Sequence, residues 1–175
     1  GRFSAAAAKN APIPHIVDGA IDPLRNKIIR PLTRTEGVSA IELRKQIQRV
    51  AWGHVGILRT AKLLKEAIRE ITQLRGRATT LCCSSKDRIY NREWMEALQI
   101  ENMLLCLEIT ARAALMRTES RAAHFREDYP QTDYKHWTKN IVVKKVAGKM
   151  MFQIEPVVIT VLPPPDKIVD YGGVD

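Results

Sequence analysis

The chain has 175 residues, 45% hydrophobic and 27% charged, enough for one domain with its own core, and this balance excludes disordered and collagen-like classes. Its net charge of +9 and pI near 9.7 raise nucleic-acid binding, yet the cations Arg44, Lys45, Arg49, Arg59, Lys62, Lys65, Arg69, Arg75 and Arg77 are interleaved with Glu42, Glu66 and Glu70 as on a solvated helix face, which argues against a nucleic-acid partner and for an acidic protein one. No apolar run reaches bilayer-spanning length, since Glu101 and Glu108 interrupt the longest, so no direct membrane insertion is expected.

The chain opens with Gly1 and lacks the charged start, apolar centre and cleavage site of a signal peptide, so it reads as a piece of a longer protein. Three cysteines, Cys82, Cys83 and Cys106, are an odd number, which speaks against a disulfide framework and for a reducing compartment.

Residues 11–37 hold Pro12, Pro14, Pro23 and Pro31 with Gly19 and Gly37, and read as an extended connector. Ser39 with Glu42 forms a capping box, and Leu43, Ile47, Val50, Ala51 and His54 recur at helical spacing, so a first helix is expected over 40–55. Thr60 caps a second, whose stripe is Leu64, Ala67, Ile68, Ile71 and Leu74, with Gly76 as its stop. Residues 77–90 read as an exposed polar loop, in which the adjacent Cys82 and Cys83 are poorly placed to chelate one metal ion. Asn91 caps a third helix over 92–118, apolar on several faces through Trp94, Leu98, Ile100, Met103, Leu104, Leu107, Ala111, Ala114 and Leu115, so protein must surround it.

After Pro130 the pattern becomes strand-like. Residues 137–146 and 149–154 are rich in Val, Ile, Phe and Trp, with Ala147-Gly148 as a tight hairpin turn, and residues 157–162 can add a third extended segment before Pro163, Pro164 and Pro165. Residues 171–175 read as a loose or docking tail. The expected fold is mainly α: a three-helix up-down-up bundle, like a spectrin repeat, followed by a small C-terminal β-hairpin. The expected organisation is a preceding-domain end and connector at 1–37, the bundle at 38–130, and hairpin and tail at 131–175.

No Gly-x-Gly-x-x-Gly, Gly-x-x-x-x-Gly-Lys, Cys-x-x-Cys or His-Glu-x-x-His is present, and His15, His54, His124 and His136 share no ligand spacing, so no nucleotide cradle or metal site is expected. His54 reads as a hydrogen-bonded core or interface histidine, Trp52 and Trp94 as core or interface anchors, and Met103, Met116, Met150 and Met151 as gap fillers.

The densest chemistry follows the apolar stretch at 103–116. In residues 117–130 seven of fourteen side chains are ionisable near neutral pH: Arg117, Glu119, Arg121, His124, Arg126, Glu127 and Asp128. Charges beside apolar surface must be paired with one another, a neighbouring domain or a ligand. Acid, base and anion-clamp roles for Glu119, Arg121, His124, Arg126 and Asp128 compete with a purely structural lock, which carries more weight.

The pattern Arg117, Glu119, Ser120, Arg121, Ala123, His124, Arg126, Asp128, Tyr129, Pro130, then Asp133 and Trp137, resembles the C-terminal helical domain of the succinate dehydrogenase and fumarate reductase flavoprotein family, which includes L-aspartate oxidase. Weaker similarities extend upstream: residues 102–115 to a central helix, residues 43–74 with Val55, Gly56, Ile57 and Arg59 to a helical hairpin, and residues 1–8 to a small-residue helix ending a flavin-binding domain. Ala122 stands where the family has Gly, so the turn is expected to be adjusted or helical there.

The resemblance implies a parent oxidoreductase that uses FAD and interconverts succinate and fumarate, or acts on a similar dicarboxylate. L-Aspartate oxidase and thiol-linked fumarate reductase are alternatives within flavoenzymes, and a free-standing helical adaptor is one outside them. It places hydride and proton transfer in preceding domains, so no catalytic, cofactor-binding or metal residue is expected here. Arg117, Glu119, Arg121, His124, Arg126 and Asp128 become candidates for a domain interface. The implied partners are the flavin-binding domain of the same chain and an iron-sulfur electron-transfer subunit, in a cytoplasmic setting peripheral to a membrane complex.

Overall fold

The computed structural model describes residues 1–12, 17 and 19–161. Among them run α1 (Arg2–Asn10), α2 (Asp22–Thr33), α3 (Ala40–Val55), β1 (Leu58–Arg59), α4 (Ala61–Ala78), α5 (Arg92–Met116), β2 (Phe125–Arg126), α6 (Tyr134–Trp137), β3 (Lys139–Val146) and β4 (Lys149–Pro156). The fold is mainly helical with a small C-terminal antiparallel hairpin, as the sequence leads one to expect. His15, Leu162, the three prolines at 163–165 and the expected tail lie outside the described residues.

Helices α3, α4 and α5 pack pairwise around one core. Each presents an apolar stripe: Leu43, Ile47 and Val50 from α3, Leu64, Ala67 and Ile71 from α4, and Ile100, Leu104 and Ala111 from α5. Leu43, Leu64, Ile71, Ile100 and Leu104 are fully buried, each contributing about 1.5–3 kcal/mol by leaving water. The longest helix, α5, also buries two carboxylates and uses them as ties. Glu96 meets Arg44 of α3 at 3.3 Å, and Glu108 meets Arg75 of α4 at 2.6 Å.

Helix entries follow local chemistry. The Thr60 hydroxyl accepts from the Leu63 N–H and the Asn91 side chain from the Trp94 N–H, satisfying amides that have no partner inside the helix. Ser39 occupies the α3 N-cap but its side chain makes no capping bond; the bridge between Val38 and Leu81 fixes the chain's entry instead.

Four stretches differ from expectation. The connector contains a helix, α2, because Pro23 falls in the first turn, where its missing N–H costs nothing, and Pro31 in the last, where it removes one bond. Leu24, Ile28 and Leu32 recur every four residues along it, and the Ile28 carbonyl accepts from the Trp94 indole at 2.8 Å. Helix α4 runs past Gly76 to Ala78, and is closed by the Thr79 and Thr80 hydroxyls donating to the Gly76 and Arg77 carbonyls.

The loop after α4 is not simply exposed. Val38 N–H bonds the Thr80 carbonyl, Cys82 N–H bonds that of Val38, and Cys83 N–H bonds that of Pro31, so Leu81 and Cys83 are buried beneath the connector. A Cβ at Gly37 would stand 2.0 Å from the Thr80 carbonyl oxygen, which makes glycine a requirement of this close approach. Residues 157–161 form no strand.

Trp52, Trp94 and His54 divide. Trp94 packs partly buried on the core, whereas Trp52 is 88% exposed and no core anchor, because it lies on the face of α3 opposite Leu43 and Ile47. His54 stands 3.5 Å from Glu70, in ion-pair range, but its buried Nδ1 makes no hydrogen bond, so the expected hydrogen-bonded histidine is not what forms. Among the methionines, Met103 packs against the core and Met151 is half exposed.

Candidate functional site

The charged run after α5 folds into a knot that closes three open helix ends or turns. Helix α5 stops at Met116, two residues earlier than its apolar pattern suggests, because a guanidinium takes its last carbonyls. Arg126 Nη1 donates to the carbonyls of Ala114, Leu115 and Arg117 at 2.9, 3.2 and 2.9 Å. Cations are favoured there both by the unsatisfied carbonyls and by the helix dipole. The Arg126 side chain is 1% exposed.

A charge so deep needs a counter-ion. Asp128 supplies it through a two-pronged pairing, Nε to Oδ1 at 2.7 Å and Nη2 to Oδ2 at 2.8 Å. Its Oδ2 also accepts from the Ala61 N–H at 2.9 Å, which caps α4. One carboxylate therefore joins the end of α5 to the start of α4. The Arg126 fork holds the Asp128 carboxyl at about 2, against a burial effect in the opposite direction.

Glu119 is the second centre. It is fully buried, and accepts from Arg117 Nη1 at 2.5 Å, Arg121 Nε at 3.0 Å, Arg121 Nη2 at 2.9 Å and the Asp133 N–H at 2.8 Å. Burial alone would raise its pKa, but the bonds from Arg121, the Asp133 amide and Arg117 outweigh it and the net direction is down. The same pairing raises Arg121. Aromatic faces cover the outer cations: Arg117 over Trp137 at 4.9 Å, Arg121 over Tyr134 at 4.6 Å and Arg126 over Tyr129 at 5.0 Å. Arg117 also donates to the carbonyl of Lys139, where β3 begins. Trp137 lies in α6, not in a strand, because Asp133 caps a helical turn and the indole donates to the Thr118 hydroxyl.

Between these centres sits His124. Its Nδ1 is 2.6 Å from Arg59 Nη1, which can only donate, so Nδ1 accepts and the ring is neutral with its proton on Nε2, facing the Arg117 carbonyl at 3.4 Å. Burial lowers the His124 pKa, and nearby Arg59, Arg126 and Arg117 add to this against the raising effect of the Arg117 carbonyl. Arg59 itself ties back to the Gly56 carbonyl at 2.6 Å, and β1 pairs in parallel with β2 through Leu58↔Phe125 and Arg59↔Arg126. The α3–α4 turn is thereby fastened to the knot. Ser120, buried at the centre, accepts from the Arg126 N–H at 2.9 Å and donates to the Tyr129 carbonyl at 2.8 Å.

The turn at Ala122 is not adjusted. Arg121 and His124 exchange backbone bonds at 2.8 and 3.0 Å, and Ala122 between them takes φ +50°, the left-handed region that suits glycine. Alanine accepts that strain because the surrounding bonds over-determine the turn.

All six residues named from the sequence thus fall in one connected network. Reasoning from sequence passed over Arg59 as part of it, although a lone arginine just after the Gly56 break was a signal. Among the described residues no three His, Cys, Asp or Glu side chains are grouped to hold a metal ion. A groove of about 610 Å³ beside the knot is lined by Asp128 to His136 and Thr118; His136 pairs there with Asp133 at 2.8 Å, and the nearby Thr118 and Thr132 hydroxyls bond the Trp137 indole and the Ser120 carbonyl instead of the His136 ring. What the arrangement does chemically is neutralise buried charge and fix helix ends.

Comparison with known proteins agrees with this geometry. The family described as fumarate reductase flavoprotein C-term matches residues 44–169, which include the whole knot. The chain belongs to that family. The succinate dehydrogenase flavoprotein subunit of Rickettsia bellii is 30% identical over 152 residues, covering 85% of this chain and 26% of the relative. The fumarate reductase flavoprotein subunit of Helicobacter pylori is 36% identical over 107 residues, 61% of this chain and 15% of the relative. The Sdh1 complex of Mycobacterium smegmatis superposes with a TM-score of 0.79 at 27% identity, over 89% of this chain and 27% of that one. The first curated relatives are matched over only 26–28% of their length. The fold of this flavoprotein C-terminal family is wider than one reaction: the adenylylsulfate reductase of Archaeoglobus fulgidus shares it at a TM-score of 0.74 and 17% identity.

Proposed function

We propose that the chain is the C-terminal domain of an FAD-dependent oxidoreductase that interconverts succinate and fumarate, or a similar dicarboxylate. Its own part is structural: Arg117, Glu119, Arg121, His124, Arg126 and Asp128 lock the helices to the turn that faces the flavin-binding domain. The observation that carries this reading is the knot itself, built from the residues on which the family resemblance rests, inside the span matched by the flavoprotein C-terminal family. Four guanidiniums, Arg59, Arg117, Arg121 and Arg126, are committed to partners within the chain. These four cations are thereby engaged inside the chain, and on this reading the flavin is held by the preceding domain.

The partners proposed are that domain and an iron-sulfur electron-transfer subunit, in a cytoplasmic assembly peripheral to a membrane. No helix among the described residues is long and apolar enough to cross a membrane. Expression of the longer reading frame, followed by a succinate-to-dye assay and a fumarate assay with reduced dye, tests the proposal. Bound FAD with turnover of either dicarboxylate is expected. A flavin-free product, or turnover of aspartate alone, would defeat it.

A second reading, a thiol-linked fumarate reductase, draws support from the CoM/CoB fumarate reductase of Methanothermobacter marburgensis, which is 31% identical over 117 residues, 67% of this chain and 21% of the relative. Fumarate reduction supported by a thiol donor and not by succinate-linked dyes would select it.

A further inference from the structure

The turn between α3 and α4, residues 56–59, is held by other means than the helices on either side of it. Ile57 and Leu58 are 64% and 61% exposed, so apolar burial does little to fix its position. Among the described residues, two backbone bonds tie it to the knot, from the Phe125 N–H to the Ile57 carbonyl at 3.2 Å and from the Glu127 N–H to the Arg59 carbonyl at 2.9 Å. A side-chain bond adds to them, from Arg59 Nη1 to His124 Nδ1. A segment with so few buried contacts, set between two packed helices, opens at lower cost than the core.

The side-chain tie depends on a proton. A guanidinium has donors and no acceptor, so the bond exists only while Nδ1 of His124 keeps its lone pair. A proton on Nδ1 turns that acceptor into a donor and sets two cations face to face. The charged groups around the ring make this worse: they are Arg59 from β1, Arg126 from β2 and Arg117 from the end of α5. The carboxylates of the knot are engaged elsewhere. Glu119 is held by Arg117, Arg121 and the Asp133 amide, Asp128 is held by Arg126 and the Ala61 amide, and Glu127 is exposed. Arg59, by contrast, keeps partners when it leaves the ring. Its Nε donates to the Gly56 carbonyl at 2.6 Å and the Val55 carbonyl at 3.3 Å, at the end of α3 where a cation is favoured.

We propose that His124 is a proton-operated latch: neutral, it holds the α3–α4 turn on the knot, and protonated, it repels Arg59 so that residues 56–59 swing away while the knot keeps its shape. Both ends of the moving piece stay anchored, Val55 in α3 and Thr60 as the cap of α4. The two states differ by one proton and three hydrogen bonds, a gap small enough for titration of a single histidine to cross. The latch belongs to this chain and does not depend on which substrate the parent protein takes.

Amide hydrogen exchange in the longer protein tests this, from about pH 8 down to about pH 5, a range in which Asp128 stays ionised. Protection at the Phe125 and Glu127 amides should lie at least about tenfold below that at the buried α5 residues Ile100 and Leu104. It should also fall by up to about tenfold per pH unit once His124 begins to take up a proton. His124→Gln keeps an acceptor for Arg59 and does not titrate, so its protection at these two amides should stay level with pH. Where that variant does not fold, the NMR titration of the wild-type His124 ring must run in step with the loss of protection. Protection that ignores pH in the wild type overturns the latch, as does the same slope in His124→Gln or a ring titration out of step with exchange. Equal protection at Phe125, Glu127 and the α5 core at every pH overturns it too, because the turn would then open only with the whole domain.

Discussion

The knot at 117–137 and the hairpin that follows it meet near Lys139, yet different physics holds each in place. In the knot, Glu119 and Arg126 are all but removed from water, and the charges of Arg117, Glu119, Arg121, Arg126 and Asp128 are each answered by more than one bond. In the hairpin, β3 and β4 pair with each other through eight residues on each strand, and one ion pair, Lys144 with Glu155, spans 3.9 Å between half-exposed side chains. Buried ion pairs gain little net energy over apolar packing but make the loss of one partner costly, whereas exposed pairs contribute little in either direction. The knot therefore specifies geometry and fails as a unit. The hairpin, whose strands bond chiefly to each other, is expected to open at lower cost.

The largest expected effect breaks the knot. Glu119→Ala strips Arg117 and Arg121 of a shared, fully buried counter-ion, and should cost about 3–5 kcal/mol. Thermal or denaturant unfolding of the longer protein measures this, with Lys144→Ala as the hairpin counterpart, expected within about 0.5 kcal/mol of wild type. Equal losses from the two would mean that the knot is no more integral than the hairpin. Arg121→Ala, whose side chain is 36% exposed, should cost about 1–2 kcal/mol, because Arg117 and the Asp133 amide still face Glu119.

Acid sharpens the contrast. The Asp128 pKa is depressed from 3.8 to about 2, so its stabilisation is complete above the unfolded value and is lost as pH falls from near 4 through about 2. His124 acts at higher pH. Its pKa lies below the ordinary 6.5, so the unfolded chain takes up a proton first and stability falls as pH drops below that value. Asp128→Asn should flatten the lower window and His124→Gln the upper one in a stability-against-pH series. Persistence of both slopes in the double variant would assign them to other groups.

Much of this was legible in the sequence, for identifiable reasons. Regular apolar spacing gave α3 and α5 to within two residues, and the density of charge singled out the knot. Helix α2 was hidden because two prolines were read as breakers, though both sit in terminal turns where they are tolerated. The burial of Cys83 depends on long-range bonds to Val38 and Pro31 that local pattern does not encode. Arg59 and His124 are 65 positions apart, and only the β1–β2 pairing brings them together.

The smallest effect compares the two regions by one chemical change. Ala122 in the knot and Ala147 in the hairpin turn both hold left-handed backbone, with φ +50° and +47°. Each pays roughly 1–2 kcal/mol of strain that glycine would relieve, less about 0.4–1 kcal/mol for the greater freedom of glycine in the unfolded chain. The net gain at either site is thus on the order of 0.5 kcal/mol. Where that gain is felt should differ. The knot is bonded into α4 and α5 and opens only with the core, so Ala122→Gly should raise the global midpoint. The hairpin opens by itself, so Ala147→Gly should slow amide exchange in β3 and β4 while leaving the midpoint unchanged. If both variants move the midpoint alike, the hairpin unfolds with the core, and the contrast between the two regions is one of bonding alone and not of cooperativity.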